Sequence, residues 1–258
     1  MPELPDLEVF SQNLTRELKG KSIIDVNVLR SSKINASERE LRTALMKQRL
    51  TKVWRDGKEL RFSFKNGAIL GIHLMLRGNL IWLDENPDAK FVLLELKFDN
   101  SRTLALADFQ KQARITLNPL KSQTLDALDR KANPPFWRQQ LQSESNIKSL
   151  LMDQHVVRGI GNAYADEILW KAGISPFSIA NKIPNKKIAP LSGAVRKVLT
   201  DAVKKIRKIA PGIIAGEIRD FLKIHNSQIN KSPDGAAIKK KIKWGRPTYY
   251  TAEQKLYD

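Results

Sequence analysis

The hydrophobic pattern of this chain changes period partway along, and that change limits its architecture more than any other feature. From Asp6 to Leu18 the apolar residues Leu7, Phe10, Leu14 and Leu18 recur every three or four positions, which predicts one amphipathic helix ending at Gly20. Residues 22–118 follow a different rule. Here short β-branched and aromatic runs (SIIDVNVL, LTKVWRD, LRFSF, AILGIHLML, LIWL, FVLLELKF and TLALAD) are separated by Gly, Asn and Asp turn residues. They predict a β-sandwich or barrel with a helix at its start. Past Pro135 the helical period returns in FWRQQLQSESNIKSLLMDQ, AYADEILWKAG and LSGAVRKVLTDAVKKIRKIA, where Leu191, Val195, Val198, Ala202, Ile206 and Ile209 form one stripe. Between the two patterns lies the polar, proline-bounded NPLKSQTLDALDRKANPP, which reads as an interdomain connection. The chain closes with an SPDG turn and β-compatible IKKKIKW and TYY runs, which predict a small basic hairpin. The expected class is therefore α+β in two domains: a β-sandwich with a leading helix over 1–118, a linker over 119–135, a helical domain over 136–222 and a hairpin over 223–258.

Charge narrows the partner. Among 258 residues, 45 Lys and Arg face 27 Asp and Glu, a net charge of +18. Such an excess favours polyanions, chiefly nucleic acid, because each cation set on a phosphate releases a condensed counterion. With no Cys there is no disulfide framework, no thiolate chemistry and no Cys-based zinc or iron–sulfur site. His73, His155 and His225 are too scattered to replace one, so no metal and no cofactor are expected. No run of 18 apolar residues occurs, and MPELPDLEVF lacks the basic and apolar regions of a signal peptide. The expectation is a soluble cytoplasmic monomer that does not engage a membrane.

Two segments could carry chemistry. If Met1 is removed, Pro2 presents a secondary amine whose pKa lies near the α-amino value of about 8, far below a lysine near 10.4. Part of it is neutral at pH 7 and can attack an electrophilic carbon, and the resulting iminium is an electron sink for elimination. A retained Met1 would hold that nitrogen in a tertiary amide. Glu3 beside it could move the protons. Taken alone, Pro at position two is common and the Glu after it usually sits in solvent. The second segment is QHVVRGIGNAYADEILWKAGISP, residues 154–176, where Gly159 and Gly161 build a turn between helices. Such a turn aims backbone N–H groups at a phosphate. Asn162 at the new helix is either a phosphate contact or an N-cap.

Together these segments resemble the formamidopyrimidine-DNA glycosylase and endonuclease VIII family, MPELPDLEVF matching its start and residues 154–176 its helix-two-turns-helix signature. The resemblance implies a bifunctional base-excision-repair enzyme with glycosylase and AP lyase activity. It would act on double-stranded DNA containing damaged bases or abasic sites, flipping the damaged base out of the duplex. It assigns catalysis to Pro2 and Glu3, a phosphate contact to Lys58 on the turn in WRDGKELRF, phosphate clamping to Asn162 and the Gly161 turn, and positioning of the amine to Asp6 and Glu167. Asp6 stands where a Glu is usual. HLMLRG places Leu76 as the wedge that fills the gap left by the flipped base, although a Leu in an apolar run could equally pack in the core.

Three departures bear on substrate. The Arg and Phe of the purine-excising branch are not in register in ADFQKQA, leaving Lys111 as a replacement. The four zinc-ligand positions of the family's finger read Lys231, Asp234, Thr251 and Gln254, so a zincless finger is expected, stapled by Ile238, Trp244, Tyr249 and Tyr250, with Arg246 reaching phosphate. Without metal such a hairpin should lean on the helical domain. Only ten residues separate Asp220 from Lys231, too few for the family's oxoguanine-capping loop. Oxidised pyrimidines, hydantoins or formamidopyrimidines are therefore the expected substrates. The alternatives are a catalytically silent damaged-DNA-binding relative and, from another class, an RNA-binding or ribosome-associated protein.

Overall fold

The computed structural model describes residues 1–30, 33–243 and 245–258. It divides into two compact units, Met1–Lys121 with Ile206–Glu217, and Ser122–Lys205 with Ile218–Asp258.

The first unit begins with α1 (Leu4–Leu18), carrying Pro in its first turn and started by a capping box: the Glu3 carboxylate accepts the Asp6 N–H, and Asp6 accepts the Glu3 N–H at 2.8 Å. The stripe of Leu7, Phe10, Leu14 and Leu18 is buried in the core of the sandwich. Each such side chain contributes about 1.5–3 kcal/mol of burial. Thr15 Oγ1 fixes the helix against the sheet by donating to Val53 O at 2.8 Å and accepting the Val53 N–H at 2.9 Å.

Eight strands follow: β1 (Ile23–Val28), β2 (Leu50–Asp56), β3 (Glu59–Phe64), β4 (Ile69–His73), β5 (Asn79–Trp82), β6 (Val92–Phe98), β7 (Thr103–Ala107) and β8 (Arg114–Leu117). They form two antiparallel four-stranded sheets, ordered β1-β6-β7-β5 and β2-β3-β4-β8. The expected sandwich is present, with two elements that the runs did not single out. One is α2 (Glu38–Leu45), which buries only Leu41 and Leu45 and starts on a Ser37–Glu40 capping box. The other is β8, too short at four residues to show alternation.

The second unit holds α3 (Pro134–Gln140), α4 (Ile147–Met152), α5 (Asn162–Ala172), the long α6 (Ile188–Ile209), whose last turn counts with the first unit, and a hairpin of β9 (Ile238–Lys243) and β10 (Arg246–Thr251). Gly159, at φ +104°, makes the turn between α4 and α5. Gln154 braces that turn, accepting the Gly159 N–H at 2.9 Å and donating to Ile160 O at 3.0 Å.

The hairpin leans on the helices of its own unit through a buried polar network. Asp166, fully buried on α5, accepts the Tyr249 N–H at 2.9 Å and meets His225 Nδ1 at 2.7 Å. Lys148, 2% exposed on α4, pairs with Asp166 at 2.8 Å and donates to Thr248 Oγ1 at 2.9 Å. Gln254, one of the four expected ligand positions, instead accepts the Thr251 N–H and donates to Ile174 O, both at 2.8 Å. The four positions do not suit zinc: Lys231 is cationic, Asp234 is exposed, and Thr251 and Gln254 are neutral. Among the expected staples, Tyr249 is buried against His225 and Tyr250 meets Phe177 edge-on at 4.9 Å. Trp244 lies outside the described residues.

Candidate functional site

In the first unit the expected amine site gathers at the head of α1. Pro2, Glu3 and Asp6 are all buried there, and the capping box locks the two carboxyl groups to the helix start. Lys58 sits on the two-residue turn Gly57–Lys58, closed by the Asp56–Glu59 pair and permitted by Gly57 at φ +63°.

His73 feels the charge of Lys58 and holds the turn that carries Leu76. Its pKa falls to about 4, chiefly through burial and then through the positive charges of Lys58 and Arg114. The neutral ring accepts the Met75 N–H at 3.0 Å and so shapes the turn that follows β4. Leu76 is on that turn and 61% exposed, so it is free of the core that an apolar run could have given it. Gly78 closes the turn by donating to Leu74 O at 2.8 Å; a Cβ there would lie 2.4 Å from that oxygen. Because His73 pairs with Arg114, the Leu76 turn and the loop before β8 leave the same end of the sheet. That loop winds around Asp108, whose carboxylate accepts the N–H groups of Gln110, Gln112 and Ala113 at 2.9, 2.7 and 2.9 Å. It presents Lys111 at φ +53° and an exposed Phe109, whose ring packs edge-on against Phe91 at 6.4 Å.

In the second unit a cavity of about 280 Å³ brings together Asn162 and Arg246 with Lys148 and Lys243, three cations against the one carboxylate of Asp153. Gly161, rather than Asn162, takes the N-cap of α5. Asn162 instead donates through Nδ2 to Pro247 O at 2.9 Å, and its Oδ1 has no hydrogen-bond partner among the described residues. Cationic side chains beside the start of a helix form a pocket suited to a phosphate. Glu167, also on α5, is buried, and its carboxylate accepts the N–H groups of Lys223, Ile224 and His225 at 3.0, 2.8 and 2.9 Å. Burial raises its pKa, against those hydrogen bonds and the nearby His225, which lower it. Within its unit it therefore organises the segment after α6.

Sequence reasoning missed Lys148, Asp166 and Glu217. The first two are joined to the hairpin across 80 or more residues. Glu217 pairs with the Met1 ammonium across 216 residues. No local spacing marks such partners.

Comparison with known proteins places these sites in context. Residues 1–115 match the model of the formamidopyrimidine-DNA glycosylase N-terminal domain, and residues 124–210 that of its H2TH domain. A formamidopyrimidine-DNA glycosylase of Pelotomaculum thermopropionicum is 30% identical over 268 residues, covering 97% of both chains. One from Chloroflexus aurantiacus is 34% identical over 215 residues, covering 79% of this chain and 77% of its own. Among solved structures, wild-type Lactococcus lactis Fpg in complex with an oxidized pyrimidine containing DNA superimposes with a TM-score of 0.86 at 26% identity, covering 97% of this chain and 98% of that one. The Lactococcus lactis Fpg complex with an abasic site containing DNA gives 0.84 at 26% identity, covering 96% and 97%.

Proposed function

This chain belongs to the formamidopyrimidine-DNA glycosylase family and is a DNA glycosylase of base excision repair, and from that premise we propose that it excises oxidised bases through Pro2 and then cleaves the strand. The observation that carries this reading is the head of α1, where Pro2 is buried beside Glu3 and Asp6 in a fixed box. Once Met1 is removed, the Pro2 nitrogen attacks C1′ of the damaged nucleotide and the base leaves with the glycosidic electron pair, taking a proton. Opening of the sugar ring gives an iminium between Pro2 and C1′. Loss of a C2′ proton into that electron sink expels the 3′ phosphate, and a second elimination expels the 5′ phosphate. Glu3 serves as the proton carrier. Lys58 and Lys111 in one unit, and Asn162, the Gly161 turn and Arg246 in the other, hold phosphates of double-stranded DNA. Leu76, exposed on its turn, fills the gap left by the flipped base, and Asp6 and Glu167 act as positioning residues. The enzyme works as a monomer, without a metal.

Oxidised pyrimidines, hydantoins and formamidopyrimidines are the substrates, because the connection between Asp220 and Lys231 is too short to cap an intact oxoguanine. The test is borohydride trapping on labelled duplexes carrying an abasic site, thymine glycol, a hydantoin or oxoguanine, using protein shown by mass to lack Met1. The expected result is a covalent adduct lost in Pro2→Gly and formed faster on the pyrimidine and hydantoin lesions. Tight binding without an adduct would make the chain a silent damage-binding member, and faster excision of oxoguanine opposite cytosine would overturn the substrate assignment.

A further inference from the structure

The segment that follows α6, residues 210–217, has no regular structure, yet it is laid along α1 of its own unit. Asn13 donates to Ile213 O at 2.7 Å, Arg16 to Pro211 O at 3.5 Å, and Arg207 to Gln12 at 2.6 Å. Ile214 enters the same apolar core as Leu7 and Phe10. Gly216 then turns the backbone at φ +84°, a conformation that a side chain would strain. The next residue, Glu217, delivers its carboxylate to the N-terminal ammonium of Met1. Residues 212 and 214–216 also line a cavity of about 900 Å³ opposite Asn79–Ala89. The carboxylate is thus placed by a packed, hydrogen-bonded segment, and the residues just before it line that cavity.

We infer that Glu217 is a further residue of the reactive-amine site, one that holds the amine and takes its proton before attack. This rests on the reading of Pro2 as the nucleophile. The Met1 and Pro2 nitrogens are separated by three backbone bonds, so they lie within about 4 Å of each other. A flexible Glu side chain that grips the first therefore reaches the second once Met1 is gone. Asp6 and Glu3 approach the amine from the start of α1, where the capping box holds them, and Glu3 keeps the proton transfers of base loss and elimination; Glu217 approaches from another part of the chain and takes the first proton, from the amine itself. A charge-assisted hydrogen bond of this kind orients the ammonium. Moving one proton from the Pro2 nitrogen to Glu217 leaves a neutral amine with its lone pair and a neutral carboxyl group, and no other reactant is needed.

The test uses full-length protein lacking Met1 and compares the wild type, Glu217→Gln, Glu217→Asp and Pro2→Gly. Single-turnover trapping on an abasic-site duplex at saturating enzyme reads the amine step. Affinity for a tetrahydrofuran-containing duplex and thermal unfolding read binding and folding. Glu217→Gln should slow trapping on the order of 10²-fold while leaving affinity and melting temperature unchanged, and Glu217→Asp should recover most of the rate. Trapping by Glu217→Gln at the wild-type rate overturns the inference but leaves Pro2 in place. Parallel loss of trapping, affinity and stability in both variants overturns it in favour of a structural role. A wild type that forms no Pro2-dependent adduct removes both readings.

Discussion

The sandwich and the hairpin are stabilised in opposite ways. In the sandwich, α1 and the two sheets bury a continuous cluster of Leu, Ile, Val and Phe, to which many side chains each add a little. The hairpin buries one strand only, and mostly polar groups: β10 buries Thr248, Tyr249 and Thr251, whereas in β9 no residue is buried and its lysines and Ile242 face solvent. It is held by a few directional contacts that converge on Asp166 and Lys148. Dispersed apolar packing tolerates a single loss by partial relaxation, whereas a buried ion pair that loses one partner strands a charge.

The largest expected effect is therefore at Asp166. Asp166→Ala leaves the Lys148 ammonium and the Tyr249 N–H without their partner, which should cost about 3–5 kcal/mol. Denaturant unfolding would measure it, and faster proteolysis within the hairpin would localise it. Replacing both charges together, as Lys148→Met with Asp166→Leu, should cost much less; an equal loss would mean that packing, and not the stranded charge, dominates. In the sandwich, Leu14→Ala should cost about 2–5 kcal/mol without selective exposure of the hairpin to protease.

A smaller effect is expected from acid. His73 has a folded pKa of about 4 against an ordinary 6.5, so the unfolded chain binds the extra proton first. Its contribution to stability is complete above pH 6.5 and is lost as the pH falls from there to about 4. His73→Gln should flatten the loss of stability across that window in pH-dependent unfolding. The smallest expected effect is none: a strong chelator should leave both melting temperature and DNA affinity unchanged, because the hairpin is held by polar contacts among side chains that do not suit zinc. A drop on chelation would break the contrast between the two regions.

How much was legible follows the same division. The leading helix, the named strands, the long α6 and the hairpin were written in local period and turn residues, because burial of one face imposes a repeat of two or of three to four. The short α2 and β8 carry too few apolar residues to impose one. Pro2, Glu3, Lys58 and Asn162 could be named as candidates because each lies in a short contiguous motif. The choice of Gly161 as N-cap, the exposure of Leu76 and the burial of His73 required the folded neighbours.

The sequence by itself determined the class of fold, the family, the preference for a polyanion and the absence of thiol ligands, since these depend on composition and short-range pattern. Tertiary structure decided which polar groups meet: Lys148 with Asp166, Asp166 with the hairpin backbone, and Glu217 with the N-terminal amine. Those pairings join residues far apart in the chain, so no local repeat encodes them. They form only when apolar packing has fixed the elements that carry them.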